Sequence, residues 1–265
     1  MHILAIDAGN SRIKWGVHED GSWLAQGWVA TGRAEQLSRA WARIERPDAV
    51  IGANVAGARI ARTLAAAARR FRRPVRFVTS TAAQCGVRNS YVNPRQLGAD
   101  RWAALIGAWN LHRGPCVVVN AGTTVTVDAL DGGGVFLGGM IVAGAGLMRD
   151  ALARNTAGLR PRPGRFAYFP SRTADAIESG AVNALAGAVE RMVRFMREAG
   201  VPSPLTVLAG GPRRSSRRSL TARSRSWIIL CSRAWCALHL SRHPSLVTRH
   251  AAPRSVSILP PAGPG

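Results

Sequence analysis

At 265 residues with 47% hydrophobic side chains, the chain can bury a sizeable core, and ordinary domain sizes lead us to expect two small domains. No apolar run approaches the roughly 20 residues a membrane-spanning helix needs, and Met1 leads into an apolar strand without a basic leader, so a cytoplasmic protein with no membrane contact is expected. The formal charge of +22 ordinarily suggests a nucleic-acid partner, yet all but one of the 36 basic residues are arginine and no run interleaves lysines, arginines and aromatics as a nucleic-acid platform does, so GC-rich codon usage explains them better and nucleic acid is not expected.

Residues Ile3 to Ala8 read as a buried strand ending at Gly9, and Ile13 to Val17 as its partner after a short turn. Apolar positions recur at helical spacing from Glu35 to Ile44, Ala49 to Ala53 reads as another buried strand, and the alanine-rich stretch from Arg59 to Arg70 as a helix. A short strand follows over Pro74 to Val78, then a helix from Gly98 through Trp109. Cys116 to Val119 is a strand leading into a turn at Gly122-Thr123-Thr124, with Val125 to Ala129 as its partner. The strand, glycine turn, strand unit therefore occurs twice, as two related halves would produce. Beyond a glycine-rich stretch from Gly132 to Gly146 come a helix over Leu147 to Arg154, a loop, a long helix over Ala174 to Ala199 and a strand over Leu205 to Leu208. The four cysteines, Cys85, Cys116, Cys231 and Cys236, lack metal-ligand spacing and read as incidental.

Two short motifs fall on the repeated turns. In Asp7-Ala8-Gly9-Asn10-Ser11-Arg12-Ile13-Lys14 an acidic residue ends a strand before a small-residue turn. Such a turn offers backbone N–H groups to phosphate; Asn10 and Ser11 add donors, Lys14 can neutralise phosphate charge, and Asp7 can hold a magnesium ion directly or through water. By itself the motif is equally an ordinary hairpin turn. Asn120-Ala121-Gly122-Thr123-Thr124-Val125-Thr126 occupies the matching place in the second half, and two such turns facing each other can grip a nucleotide triphosphate from both sides. Together they resemble the phosphate motifs of the superfamily of acetate and sugar kinases, heat-shock chaperones and actin. That resemblance implies an α/β fold of two ribonuclease H-like domains.

A third motif, Asn89-Ser90-Tyr91-Val92-Asn93-Pro94-Arg95-Gln96-Leu97-Gly98-Ala99-Asp100-Arg101-Trp102, is similar to the type III pantothenate kinase (Bvg accessory factor) pattern of a tyrosine, a proline and Leu-Gly-x-Asp-Arg. The resemblance implies that Asp100 is the general base for the pantothenate hydroxyl and that Tyr91, Gly98, Ala99, Asp100 and Arg101 contact the substrate. The chemistry fits, because phosphoryl transfer needs a positioned acceptor and charge stabilisation more than covalent help. Arg101 can pair with the pantothenate carboxylate through its fork of donors, although a helix-start cap and a surface ion pair would also account for Asp100 and Arg101.

Gly138-Gly139-Met140-Ile141 resembles the family's Gly-Gly-x-Ile-x-Pro-Gly segment, with Ala143 where proline is usual. Thr173-Ala174-Asp175-Ala176-Ile177-Glu178-Ser179-Gly180 resembles its Thr-x-x-Ala-Ile-x-Ser-Gly segment, which makes Thr173 another substrate contact. The implied activity is ATP-dependent phosphorylation of pantothenate to 4'-phosphopantothenate, the first step of coenzyme A biosynthesis, with Mg2+, ATP contacts along Asp7 to Lys14 and at Thr123, and a homodimer with substrate near its interface. A non-catalytic transcription accessory factor of the same fold is the alternative. The family often has aspartate at the first position of the second phosphate motif, where it helps to bind potassium or ammonium. Here Asn120 offers a carbonyl but no charge, which leaves that cation site open while the Thr123 contact stands.

The motifs suggest a first domain over 1–111, with the first phosphate motif and the pantothenate motif, and a second over 112–211. From Pro212 to Gly265 the chain holds no Asp, Glu, Lys, Asn or Gln, while ten arginines crowd in, and disorder is expected there. Family members usually close with an aspartate, a short apolar helix and Leu-Val-Leu-Glu-Gly-Leu. Trp227 to His239 can be encoded so that a one-base shift yields Val-Asp-His-Leu-Val-Leu-Glu-Gly-Leu-Val-Arg-Ile-Ala, that missing ending. A frameshift near the codons for Gly210 to Pro212 explains both observations.

Overall fold

Strand β1 (His2–Ala8) pairs antiparallel with β2 (Arg12–Glu19), and β2 with β3 (Ser22–Ala30), so the chain opens with a three-stranded meander. The computed structural model describes residues 1–159 and 162–210. The frameshift and disorder expected of 212–265 lie outside the described residues. After a 3-10 turn (Thr31–Gln36) and the single-turn helix α1 (Leu37–Ala40), β4 (Ala49–Asn54) joins β1 in parallel. Helix α2 (Ala58–Ala68) then leads to β5 (Val75–Phe77), giving a five-stranded sheet of order β3-β2-β1-β4-β5. One face carries Leu4, Ile6, Ala8, Ile13 and Val17 into a core shared with Trp41, Ile60, Leu64 and Phe71, and the stripe Ile60, Leu64, Ala67, Ala68 is what seats α2 there.

The helix expected to reach Ile44 stops at Ala40. Pro47 disfavours helical geometry at its approach, and the Arg70 guanidinium binds the carbonyls of Trp41, Ala42 and Ile44, satisfying groups a longer helix would have bonded itself. Trp41 is fully buried against this turn and tilted toward Phe71. Trp41→Ala is expected to lower unfolding free energy by about 3–5 kcal/mol in urea titration; a loss under about 1 kcal/mol would show that the indole is not a core member.

The second sheet repeats the first one's opening. Strands β8 (Cys116–Ala121), β9 (Thr124–Leu130) and β10 (Val135–Ala143) form an antiparallel meander, and β11 (Leu205–Gly210) joins β8 in parallel. The order β10-β9-β8-β11 therefore matches β3-β2-β1-β4. On the far edge, β10 pairs in parallel with β7 (Val87–Asn89), which pairs with the short β6 (Ala83–Gln84). Val117, Val119, Val125, Val127 and Ala129 face one side, packed under Met192 and Met196 of the long helix α5 (Thr173–Glu198). By alternation, Asn120, Thr126 and Asp128 face the other side. Helix α3 (Ala99–Leu111) packs on β7, β8 and β9, and α4 (Ala145–Asn155) follows β10.

Residues 1–78 form one compact unit and Thr79 to Gly210 lie in the other. The segment 79–111, expected with the first domain, is thus grouped with the second sheet, because β7 extends that sheet and α3 is buried from Arg101 to Trp109 against it. Strands β3 and β10 were not foreseen either; both show mixed patterns that read as loop. Among the described residues no helix is long and apolar enough to cross a membrane.

Candidate active site

The first phosphate motif lies at the β1–β2 turn. Gly9 N–H donates to the Arg12 carbonyl at 3.0 Å, and Thr31 Oγ1 donates to the Gly9 carbonyl at 2.7 Å, so the turn is braced from β3's end. Ala8 and Ile13 bury their side chains, while Asn10, Ser11 and Arg12 are exposed between them. Asp7 stands across the strand pair from Lys14, with Nζ 4.0 Å from Oδ2. Arg12 lies 4.6 Å over the exposed Trp28 ring. The set presents backbone N–H groups, one lysine and one carboxylate at a strand end.

The second motif forms the β8–β9 turn in the same way, with Gly122 N–H donating to the Thr124 carbonyl at 3.0 Å. Thr123 is exposed, and its carbonyl accepts from Gly144 N–H at 2.9 Å. A Cβ at Gly144 would stand 2.4 Å from the Gly122 carbonyl oxygen, so only glycine lets the start of α4 sit on this turn. Asn120 pairs with Thr126 in the ladder just before it.

The third motif packs around α3. Asn89 Oδ1 accepts from Tyr91 N–H at 3.0 Å, and Asn93 caps the 3-10 turn Pro94–Gln96 through Arg95 N–H at 3.1 Å. Gly98 is the N-cap of α3, and Asp100 stands in its first turn, where the helix dipole complements a carboxylate. Asp100 Oδ1 accepts the Arg101 N–H at 2.8 Å; a Cβ at Gly98 would come within 2.7 Å of that oxygen. Glycine at 98 is what lets the carboxylate fold back over the helix start.

Arg101 differs from its expected role. It is 4% exposed, and its Nε and Nη2 donate to the carboxylate of Asp128 at 3.2 and 2.5 Å, so the fork expected to meet a substrate carboxylate is engaged by one inside the protein. Its Nη1 donates to Tyr91 Oη at 3.1 Å. Burial works against the Arg101 cation, but its bonds to Asp128 outweigh that and raise its pKa; burial also pushes the Asp128 carboxyl up, with Arg101 opposing. Asp128 was not singled out from the sequence. The signal was present: an aspartate inside the apolar run from Val125 to Leu130 must have a buried partner.

Thr173 is the first residue of α5, exposed, with Arg172 as the N-cap and no side-chain capping bond. Asp175 and Ser179 accept from the N–H groups of Arg165 and Ala167, and Arg149 bonds Glu178 at 2.5 Å, pinning the preceding loop and α4 to this end of α5. The structure therefore gathers Tyr91, Gly98, Asp100 and Arg101 around the start of α3, and carries Thr123 and Thr173 on other elements of the same unit. Among the described residues no three His, Cys, Asp or Glu side chains cluster closely enough to hold a metal. Cys116 is buried and its thiol is pushed up to about 12 by burial, which makes it unreactive.

Two solved structures share the fold: a Campylobacter jejuni protein described as a Baf family transcriptional activator (TM-score 0.53, 16% identity, 92% of this chain and 100% of that one) and a Sinorhizobium meliloti protein described as a 2-dehydro-3-deoxygalactonokinase (TM-score 0.52, 16% identity, 94% and 98%). They support two ribonuclease H-like halves and carry nothing further. Sequence relatives are much nearer. Type III pantothenate kinase of Nitrosospira multiformis is 45% identical over 209 residues, 79% of this chain and 80% of that one, and that of Aromatoleum aromaticum is 51% identical over 209 residues, 79% and 86%. The family description for type III pantothenate kinase matches residues 3–195, a span that includes all of the motifs described above, and this chain belongs to that family.

Proposed function

We propose that the chain transfers the γ-phosphoryl group of ATP to the hydroxyl of pantothenate, giving 4'-phosphopantothenate in the cytoplasm. The observation that carries this reading is Asp100 at the start of α3, with one oxygen fixed by its own helix and the neighbouring Arg101 bonded to Tyr91. Because Oδ1 is held by Arg101 N–H, Oδ2 is the oxygen that takes the proton of the acceptor hydroxyl. Gly98, Ala99, Tyr91 and Thr173 contact pantothenate, with Arg101 acting alongside them.

ATP is bound by the turn residues from Asp7 to Lys14 and by Thr123. Ala8 and Ile13 contribute backbone only, since their side chains are buried. Asp7 suits Mg2+, a hard cation that takes few carboxylates plus phosphate oxygens and water; bound there, the ion would neutralise phosphate charge. Lys14 adds a point charge from the neighbouring strand. The homodimer implied by the family would cover apolar surface such as Tyr168 and Phe169, which are 87% and 96% exposed.

Conversion of ATP and pantothenate to ADP and phosphopantothenate, followed by coupled assay and mass spectrometry, tests the proposal; no product at millimolar substrates would sink it. The cation site gives a second expectation. With Asn120 in place of a charged ligand, exchanging KCl for NaCl should change the rate less than about twofold, whereas Asn120→Asp should introduce a potassium response of about tenfold, since a full charge a few ångströms from the ion contributes about 1 kcal/mol or more. A strong potassium response in the unmodified chain would contradict this.

A further inference from the structure

Asp128 is 1% exposed, sits at the centre of the β8-β9-β10 meander, and faces α3. Its register partner on β10 is Gly139, and a Cβ there would stand 2.0 Å from Asp128 Oδ1 and 2.8 Å from Arg101 Nη2. The glycine therefore exists to make room for the ion pair, and the strand yields a side chain to accommodate it. From Asp128 the contacts run outward in a fixed order. The carboxylate holds Nε and Nη2 of Arg101, the guanidinium lies 5.8 Å from the ring centres of both Tyr91 and Phe136, and Nη1 donates to Tyr91 Oη. Tyr91 is fixed at its other end by Asn89 and packs on Phe136 at 5.3 Å.

We propose, building on the pantothenate kinase reading, that Asp128 is a positioning residue of the acceptor site: it aims Arg101 at the Tyr91 hydroxyl and thereby makes Tyr91 a one-way donor to substrate. Guanidinium has donors only, so a hydroxyl that accepts from it keeps its own hydrogen for another acceptor. Tyr91 then offers that hydrogen to a carbonyl or carboxylate oxygen of the acceptor substrate. Arg101 is a strut rather than the carboxylate ligand, because its fork is filled by Asp128 and its charge is largely matched there. The same strut fixes the first turn of α3 on which Asp100 stands.

A double-mutant cycle tests this. In the unmodified chain Tyr91→Phe should raise the KM for pantothenate about tenfold, the loss expected when one hydrogen bond to the substrate is removed, and leave the KM for ATP within about twofold. In an Asp128→Asn background, assayed where circular dichroism shows native protein, Tyr91→Phe should add less than about twofold, because the hydroxyl is no longer oriented. Equal factors in both backgrounds overturn the proposal and reduce Asp128 to a core contact. If Asp128→Asn does not fold, Gly139→Ala takes its place in the cycle, since it displaces the carboxylate while keeping every charge.

A second readout stands whether or not the chain turns over pantothenate. The sequence has two tyrosines, so Tyr168→Phe leaves Tyr91 alone. In that background the 13C-labelled tyrosine ring signal should shift or broaden on Asp128→Asn and on Gly139→Ala; an unmoved signal overturns the relay. An unmodified chain with no turnover but a moved signal would overturn the kinase reading and leave the relay standing.

Discussion

Asp100→Asn is expected to lower kcat with pantothenate by about 10²–10⁴-fold, the range set by removing a general base, while KM for ATP changes less than about twofold. Asparagine fills the same volume and its carbonyl can still accept Arg101 N–H, so the start of α3 should hold and the protein should melt normally. What it cannot do is take a proton. The loss should therefore fall on kcat rather than on ATP binding, because the base acts in the transition state and the nucleotide contacts are made elsewhere. Steady-state kinetics beside circular dichroism decides the matter. Retention of more than about a tenth of the rate would remove Asp100 from the chemistry and leave it a helix-start residue.

The parts of the fold legible in the sequence are those where one period dominates. Strands β1, β4 and β8 are continuous apolar runs, and α2 and α5 carry apolar stripes, so burial and pattern agree. Strand β3 escaped because its outward residues include Leu24 and Trp28, 58% and 57% exposed, which blur the alternation. Strand β10 escaped because Gly138 and Gly139 look like loop. Gly138 has φ 140° at a bulge, and Gly139 is small to admit Asp128, so tertiary contacts set both glycines and local propensity does not.

The site divides along the same line. The phosphate turns and Asp100 were visible because short-range spacing carries their chemistry. Asp128 was not, since its partner lies 27 positions away and only the sheet brings them together. The boundary expected after Leu111 differs from the observed division for a related reason: α3 is adjacent in sequence to the first half, but its buried face fits β8 and β9.

The second large effect concerns the reading frame. Resequencing the DNA across the codons for Gly210 to Pro212 should reveal a one-base difference, and an intact frame in an independent read ends the idea. A chain with the frame shifted back would carry an apolar closing segment, and several such side chains at roughly 1.5–3 kcal/mol each rival a whole-protein margin of about 5–15 kcal/mol. Urea unfolding of the two versions side by side should show the restored one more stable by several kcal/mol; equal midpoints would mean that the replaced residues do not matter to the fold.

The parallel pairing of β8 with β11 has a consequence during synthesis. The first sheet has all five strands once Phe77 has left the ribosome, but β8 must wait for Leu205–Gly210 before its outer edge is covered. Throughout that interval Cys116-Val117-Val118-Val119, uncharged and strongly strand-forming, presents open backbone of the kind that pairs with other chains. Nascent second units are therefore expected to be more open to aggregation than the finished sheet, and chaperone demand should track the time taken to translate from Ala121 to Gly210.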